Sequence, residues 1–307
     1  MSIQLVDCTI RDGGYLLNKN FEKDVVKSII NGLVNAGIDF VETGFLQDIV
    51  SNESIVYKNS KDVLKYLPIN KDKTTFIGFC DNSRYSIQNL DECDKSSFEW
   101  IRIAFKKYEL ESALEFCYQI KQKGYKIQIN PMDTISYSKE EIKYLVKEVN
   151  SIKADALSIV DTYGSMYIDD AISMFKQIDS TLACEIKIGL HSHDNLGLSN
   201  ALAEEIIRLS HSSDRDVMID GSLLGMGRGA GNASTEALAV FLNKKYGYNY
   251  NIPLLIQTIE NHIMPLRDNN IKWGYNLPMF VCGVQHSHIN NINYLHKNTD
   301  CSITEMY

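Results

Sequence analysis

The 307-residue sequence predicts a (β/α)8 TIM barrel followed by a helical C-terminal extension. Two observations carry this reading. Short β-branched runs end near Cys8, Thr43, Phe79, Phe105, Asn130, Asp161, His191 and Gly221, at intervals of roughly 30 residues, the repeat of eight β/α units. The stretches between them carry apolar stripes of helical period. An open, doubly wound sheet shares the alternation but does not need eight units of such even length.

The elements justify themselves in order. Runs such as Asp39 to Thr43, Thr74 to Phe79, Trp100 to Ala104 and Glu185 to Leu190 suit parallel strands buried on both faces. Val25, Val26, Ile29, Ile30, Leu33 and Val34 form one helical stripe, stopped by Gly37. Leu110, Ala113, Leu114, Cys117 and Ile120 form another, stopped by Gly124. Ser138 with Glu141 three residues on is a capping-box start for a helix carrying Ile142, Leu145, Val146 and Val149. No Pro-, Gly- or Ser-rich linker interrupts this pattern, so residues 1–249 read as one barrel domain and 250–307 as the extension. In the extension Ile252 to Ile263 reads as helical, and Gln285 to Asn291 (QHSHINN) is a polar cluster. The final residues look like the opening turns of a helix capped by Ser302, so the chain is expected to stop short of its natural end.

Composition excludes several classes. Lys and Arg number 31 against 39 Asp and Glu, a net charge of −8 spread along the chain, which argues against a nucleic-acid partner. No apolar run reaches the length of a membrane span, and the N-terminus lacks the basic start and apolar core of a secretory signal. Seven cysteines show no C-x-x-C pair and read as reduced thiols of a cytoplasmic protein.

In a barrel, chemistry sits at the C-terminal ends of the strands. Arg11 and Asp12 fall in the first loop, Glu42 ends strand two, and Arg102 lies on strand four. Asp161 and Thr162 end strand six, and His191, His193 and Asp194 end strand seven. Two residues apart on a strand, His191 and His193 point to one side, suitable for chelating one cation together with the Asp12 carboxylate. The plainer reading makes one imidazole a core histidine and leaves the other in solvent. Asn232 has a plain reading as a helix N-cap. Gly225, Gly227, Gly229 and Gly231 suit either a phosphate cradle or a tight turn. Arg11 and Glu42 have a plain reading as a structural ion pair, which would still orient a catalytic arginine.

Five motifs, DCTIRDGG (7–14), VETG (41–44), VDTYG (160–164), GLHSHDNLG (189–197) and GMGRGAGN (225–232), resemble the pyruvate-carboxyltransferase, or DRE-TIM metallolyase, superfamily in its own order. The glycine loop is most similar to that of the 4-hydroxy-2-oxovalerate aldolases and lacks the cysteine of the lyases. The resemblance implies that Asp12, His191 and His193 hold a divalent metal, with Asn232 completing the site. It implies that Arg11 stabilises an enolate oxygen, that Glu42 completes the Asp-Arg-Glu signature, and that Arg102 and Thr162 bind substrate. The metal is expected to be Mn2+ or Mg2+, with Zn2+ or Co2+ as softer alternatives. The implied reaction is aldol cleavage or formation through a pyruvate-type enolate, with a small 2-oxoacid and an aldehyde as partners and a homodimer as the assembly. Two departures stand out: Phe105 occupies a usual histidine position, and Tyr15 stands where these aldolases place a catalytic histidine. Tyr15 becomes the positional proton carrier, provided the metal and Arg11 depress its pKa, and His286 or His288 is the alternative if the extension covers the barrel mouth. The rival readings are a Claisen-type acyl-CoA/2-oxoacid synthase on the same metal site and a non-catalytic barrel subunit.

Overall fold

Eight parallel strands close on themselves, because β1 (Ile3–Asp7) pairs with both β2 (Phe40–Leu46) and β8 (Val217–Gly221). The structure is a computed structural model describing residues 1–49, 54–269 and 271–307. Between β2 and β8 run β3 (Thr75–Asp81), β4 (Trp100–Phe105), β5 (Lys126–Pro131), β6 (Ala156–Asp161) and β7 (Lys187–Ser192), each hydrogen-bonded to the next. A short strand, Val56–Tyr57, extends the sheet beside the end of β2. Every strand ends within three residues of its expected end, since the β-branched runs are buried on both faces and leave little freedom in register.

A short helix α1 (Thr9–Gly14) follows β1, and α2 (Lys23–Asn35) buries Val26, Ile29, Ile30, Leu33 and Val34 before Gly37 adopts a φ of +82°. Further round the barrel come α3 (Leu110–Gln122), α4 (Lys139–Ile152), α5 (Ile168–Asp179), α6 (Ser199–Ser213) and α7 (Thr235–Tyr246). The Ser138–Glu141 capping box is present: Ser138 Oγ accepts from the Glu141 amide at 3.2 Å, and Glu141 Oε2 accepts from the Ser138 amide at 2.6 Å. The strict alternation fails twice. Among the described residues, the connections from β2 to β3 and from β3 to β4 carry the 3-10 segments Ser60–Lys65 and Ile87–Asn89 in place of an α-helix. Residues 82–99 are rich in Ser, Asp and Asn, which favour turns, and hold no apolar stripe that a longer helix could bury.

The extension contains α8 (Ile252–Thr258), a π-helical turn (Ile259–Ile263), α9 (Met264–Asp268), α10 (Leu277–Val284), α11 (Ile289–Asn298) and α12 (Ile303–Met306). Met279, Val281, Cys282 and Ile292 form a small core of their own with Ala230 of the glycine loop. That core fastens the extension to the C-terminal end of the barrel.

Candidate active site

At that end α1 turns Arg11 and Asp12 inward, and both are buried. Arg11 donates from Nη1 to Asp12 Oδ1 and from Nε to Glu42 Oε2, each at 2.7 Å, and its guanidinium lies 4.7 Å from the centre of the Phe79 ring. Burial pushes the Asp12 carboxyl upward, but Arg11, then His193 and His191, outweigh it and hold it well below the usual carboxylate range. Candidate ligand atoms of Asp12, His191 and His193 all lie within 4.8 Å of one another. Burial and the nearby arginines lower the His193 pKa to about 4 despite Asp12, so the ring is neutral at physiological pH, as a metal ligand must be.

Asn232 joins the set from the glycine loop. Its Nδ2 donates to Asp12 Oδ2 at 2.7 Å, while its buried Oδ1 has no hydrogen-bond partner among the described residues. An orphaned buried carbonyl beside a carboxylate and two imidazoles is a donor set that fits a divalent cation. Gly227 is required here, since a Cβ at this position would collide with the Asn232 amide and the Asp12 carboxylate. The helix cap of α7 is Ser234, not Asn232. The loop is a tight turn rather than a phosphate cradle: its amides at Ala230, Gly231 and Asn232 donate to Asn195 Oδ1, Arg228 O and Gly225 O.

His191 is aimed by Asp220, which sequence reasoning missed. His191 Nδ1 lies 2.9 Å from Asp220 Oδ2, leaving Nε2 for the site. Arg102 grips Asp220 with two bonds, at 2.6 and 2.9 Å, and also donates to Gln128 Oε1 and Glu42 Oε2. Gln128 passes the chain on to Ser158, and Ser158 to Asn130. Arg102 is wholly buried, so the expectation that it binds substrate is corrected: its donors are spent on protein groups. It holds Asp220, and through it His191. Burial alone would raise Asp220, but Arg102 and His191 keep it below its ordinary value. A second triple of metal-ligating groups, Cys8, His191 and Asp220, is already filled by the Arg102 guanidinium. The one signal for Asp220 in the sequence was a lone acid in an otherwise apolar strand. Glu42 is likewise fully buried, and its Oε2 accepts from both Arg11 and Arg102.

Above these residues a cavity of 660 Å³ is lined by Tyr15, Thr162, Tyr163, Arg228 and His288 among others. A smaller pocket joins Thr162, Arg228 and His288 to His193. Thr162 Oγ1 accepts from the Asp133 amide at 2.8 Å. The Tyr15 ring packs edge-on against Phe45 and lies under Arg228, whose guanidinium is 4.8 Å from its centre. Burial raises the Tyr15 pKa and outweighs Arg11 and Arg228, so the protein's own groups do not depress the phenol. Burial, then Arg228 and Lys106, lowers that of His288. His286 lies 2.7 Å from Ser165 Oγ through Nδ1 and 2.9 Å from Asp133 Oδ1 through Nε2, pinning the extension to the loops after β5 and β6.

The HMGL-like family pattern matches residues 101–261, more than half of the chain. The chain belongs to the HMGL-like family. It is 28% identical to a 4-hydroxy-2-oxovalerate aldolase of Chloroflexus aurantiacus over 245 residues, covering 78% of this chain and 69% of that protein. It is 27% identical to a 4-hydroxy-2-oxovalerate aldolase of Pelotomaculum thermopropionicum, covering 82% and 73%. The crystal structure of the N-terminal domain of a putative aldolase from Bacteroides vulgatus superposes with a TM-score of 0.81 at 25% identity, covering 99% of this chain and 100% of that one.

Proposed function

We propose that this HMGL-like lyase is a divalent-metal-dependent aldolase acting on 4-hydroxy-2-oxoacids through a pyruvate-type enolate. The observation that carries the reading is the convergence of Asp12, His191, His193 and the orphaned Asn232 Oδ1 beside Arg11 under one cavity. A divalent cation on these ligands would act as a Lewis acid toward the carbonyl of a 2-oxoacid; carboxylate and amide oxygens favour Mn2+ or Mg2+, while two imidazoles keep Zn2+ and Co2+ eligible. Arg11 is fixed by Glu42 and Asp12 through Nε and Nη1, and neither bond uses Nη2, which is left to stabilise a developing enolate oxygen.

In the cleavage direction a base takes the 4-hydroxyl proton, the C3–C4 bond breaks, and C3 takes a proton to give the 2-oxoacid and the aldehyde. One proton thus moves from oxygen to carbon, and no further reactant is needed. His288 suits the base once Arg228, 3.0 Å from its Nε2, turns to the incoming reactant, because its lowered pKa leaves a neutral imidazole at the cavity wall. Tyr15 keeps its proton and suits a hydrogen-bond donor to the aldehyde oxygen. Thr162 is at hand for the 2-oxoacid carboxylate. In this reading residues 1–249 supply the metal ligands, Arg11 and Tyr15, and 250–307 cover the site and add His288. Seven unpaired cysteines accord with the cytoplasm, and among the described residues no helix is long and apolar enough to cross a membrane.

The test is pyruvate with Mn2+ in deuterated water, followed by proton NMR. The methyl signal decays with the enzyme and persists after chelation; no exchange with any divalent ion would overturn the reading. Thiol release from acetyl-CoA plus a 2-oxoacid would instead identify a Claisen-type synthase.

A further inference from the structure

The cavity is charged against the grain of the molecule. The chain carries a net −8, yet the charged residues lining this cavity are four cations, Arg84, Lys106, Lys107 and Arg228, against Asp81 and Asp133. Two of the cations are spent: Arg84 Nε lies 3.5 Å from Asp81, and Lys107 Nζ lies 2.6 Å from Glu141. Arg228 and Lys106 have no carboxylate partner among the described residues. Arg228 leans on the Tyr15 ring and reaches His288 at 3.0 Å, while Lys106 leans on Tyr108. Both charges act on the same two rings, Tyr163 and His288, so their fields overlap in one part of the cavity. Low-dielectric walls focus such a field and concentrate counter-ions there.

Size points the same way. A cavity of 660 Å³ falls in the range of about 300–1,000 Å³ that accommodates drug-sized ligands, larger than a three-carbon acid and a two-carbon aldehyde together require. The 2-oxoacid's own charge is provided for deeper in the site, at the ligand set and Thr162. Arg228 lines both the smaller pocket beside Thr162 and His193 and the larger cavity, while Lys106 lines the larger cavity, so the pair marks the side of the site that opens away from the ligand set.

Resting on the aldolase reading, we infer that the aldehyde partner carries a terminal anion, a phosphate or a carboxylate, which Arg228 and Lys106 receive. The two cations determine specificity, and the bond-forming step itself is unchanged: the C3 enolate carbon adds to the aldehyde carbonyl, whose oxygen takes one proton.

The experiment compares matched aldehydes in condensation with pyruvate and Mn2+: glyceraldehyde 3-phosphate against glyceraldehyde, and succinic semialdehyde against butanal. The charged member of at least one pair is expected to have a kcat/KM more than tenfold higher, and which pair responds distinguishes phosphate from carboxylate. In Arg228→Gln and in Lys106→Gln, the latter on an exposed side chain that folding does not need, that ratio falls toward one. Equal kcat/KM within both pairs overturns the inference, as does an equal loss for charged and neutral aldehydes, which would assign the cations to the 2-oxoacid. Pyruvate exchange in deuterated water reports separately on the aldolase reading. Should exchange be absent, calorimetric titration of glycerol 3-phosphate and of succinate against glycerol still decides the anion subsite: binding of one acid that weakens more than tenfold in either variant supports it, and no binding of either refutes it.

Discussion

Two layers inside the same barrel differ in kind. Toward the N-terminal ends of the strands the interior closes on Val6, Phe40, Ile77, Trp100, Ala156 and Met218, an apolar plug. One side-chain step further along, on the same face of the strands, Phe40 gives way to Glu42, Trp100 to Arg102, Ala156 to Ser158 and Met218 to Asp220. Both layers are buried. The lower one stabilises by removing apolar surface from water. The upper one offers no such gain, because buried ion pairs roughly break even against their desolvation cost. The polar layer is there to hold His191 and Arg11 in place, and the apolar layer is what lets the barrel tolerate it.

Removing a charge from the upper layer has the largest expected effect. Asp220→Ala strands Arg102 without its bidentate partner and should cost about 3–5 kcal/mol in urea unfolding. It also frees the His191 ring, so metal affinity should fall roughly 10–100-fold in a competitive chelator titration. Trp100→Ala in the lower layer should cost a similar ~3–5 kcal/mol, through lost burial and a cavity beside Phe40. Metal affinity of the folded fraction should not move. If it falls as far as in Asp220→Ala, the two layers are not separable.

Arg11→Lys keeps the charge but loses the planar fork that spans Glu42 and Asp12. The metal should still be retained on desalting, while turnover falls by about 10²–10³, or about 2.7–4 kcal/mol in the barrier. An unchanged rate would reduce Arg11 to a structural ion pair.

Asp7 sharpens the contrast, being a buried acid with no cationic partner among the described residues. It accepts from the Thr9 amide and from Thr235 Oγ1, and burial outweighs both bonds to raise its pKa to about 6. The folded state therefore binds more protons than the unfolded chain between about pH 4 and 6, and stability falls as pH rises through that window. Asp7→Asn should be neutral near pH 4 and stabilising above pH 7, by up to about 3 kcal/mol for a shift of roughly two units. A stabilisation independent of pH would assign the effect to packing. Asp220, with Arg102 beside it, is shifted the other way.

The sequence by itself determined the eight strands, most of the helices and the residues that form the candidate metal centre, because each is written locally. A β-branched run, an apolar stripe or two histidines at i and i+2 constrain their own surroundings whatever the rest of the chain does. What only the tertiary structure decided is how distant polar groups pair. Arg102 read as a residue facing substrate; closure of the barrel brings it to Asp220, 118 positions away, and its donors are consumed there. Tyr15 read as a phenol to be activated by the metal and Arg11; burial, with the Phe45 ring against it, raises its pKa and outweighs the pull of Arg11 and Arg228. Periodicity reports which way a side chain faces. Whether a buried polar group meets a reactant or another buried polar group depends on desolvation and partners, and those exist only once the strands have closed.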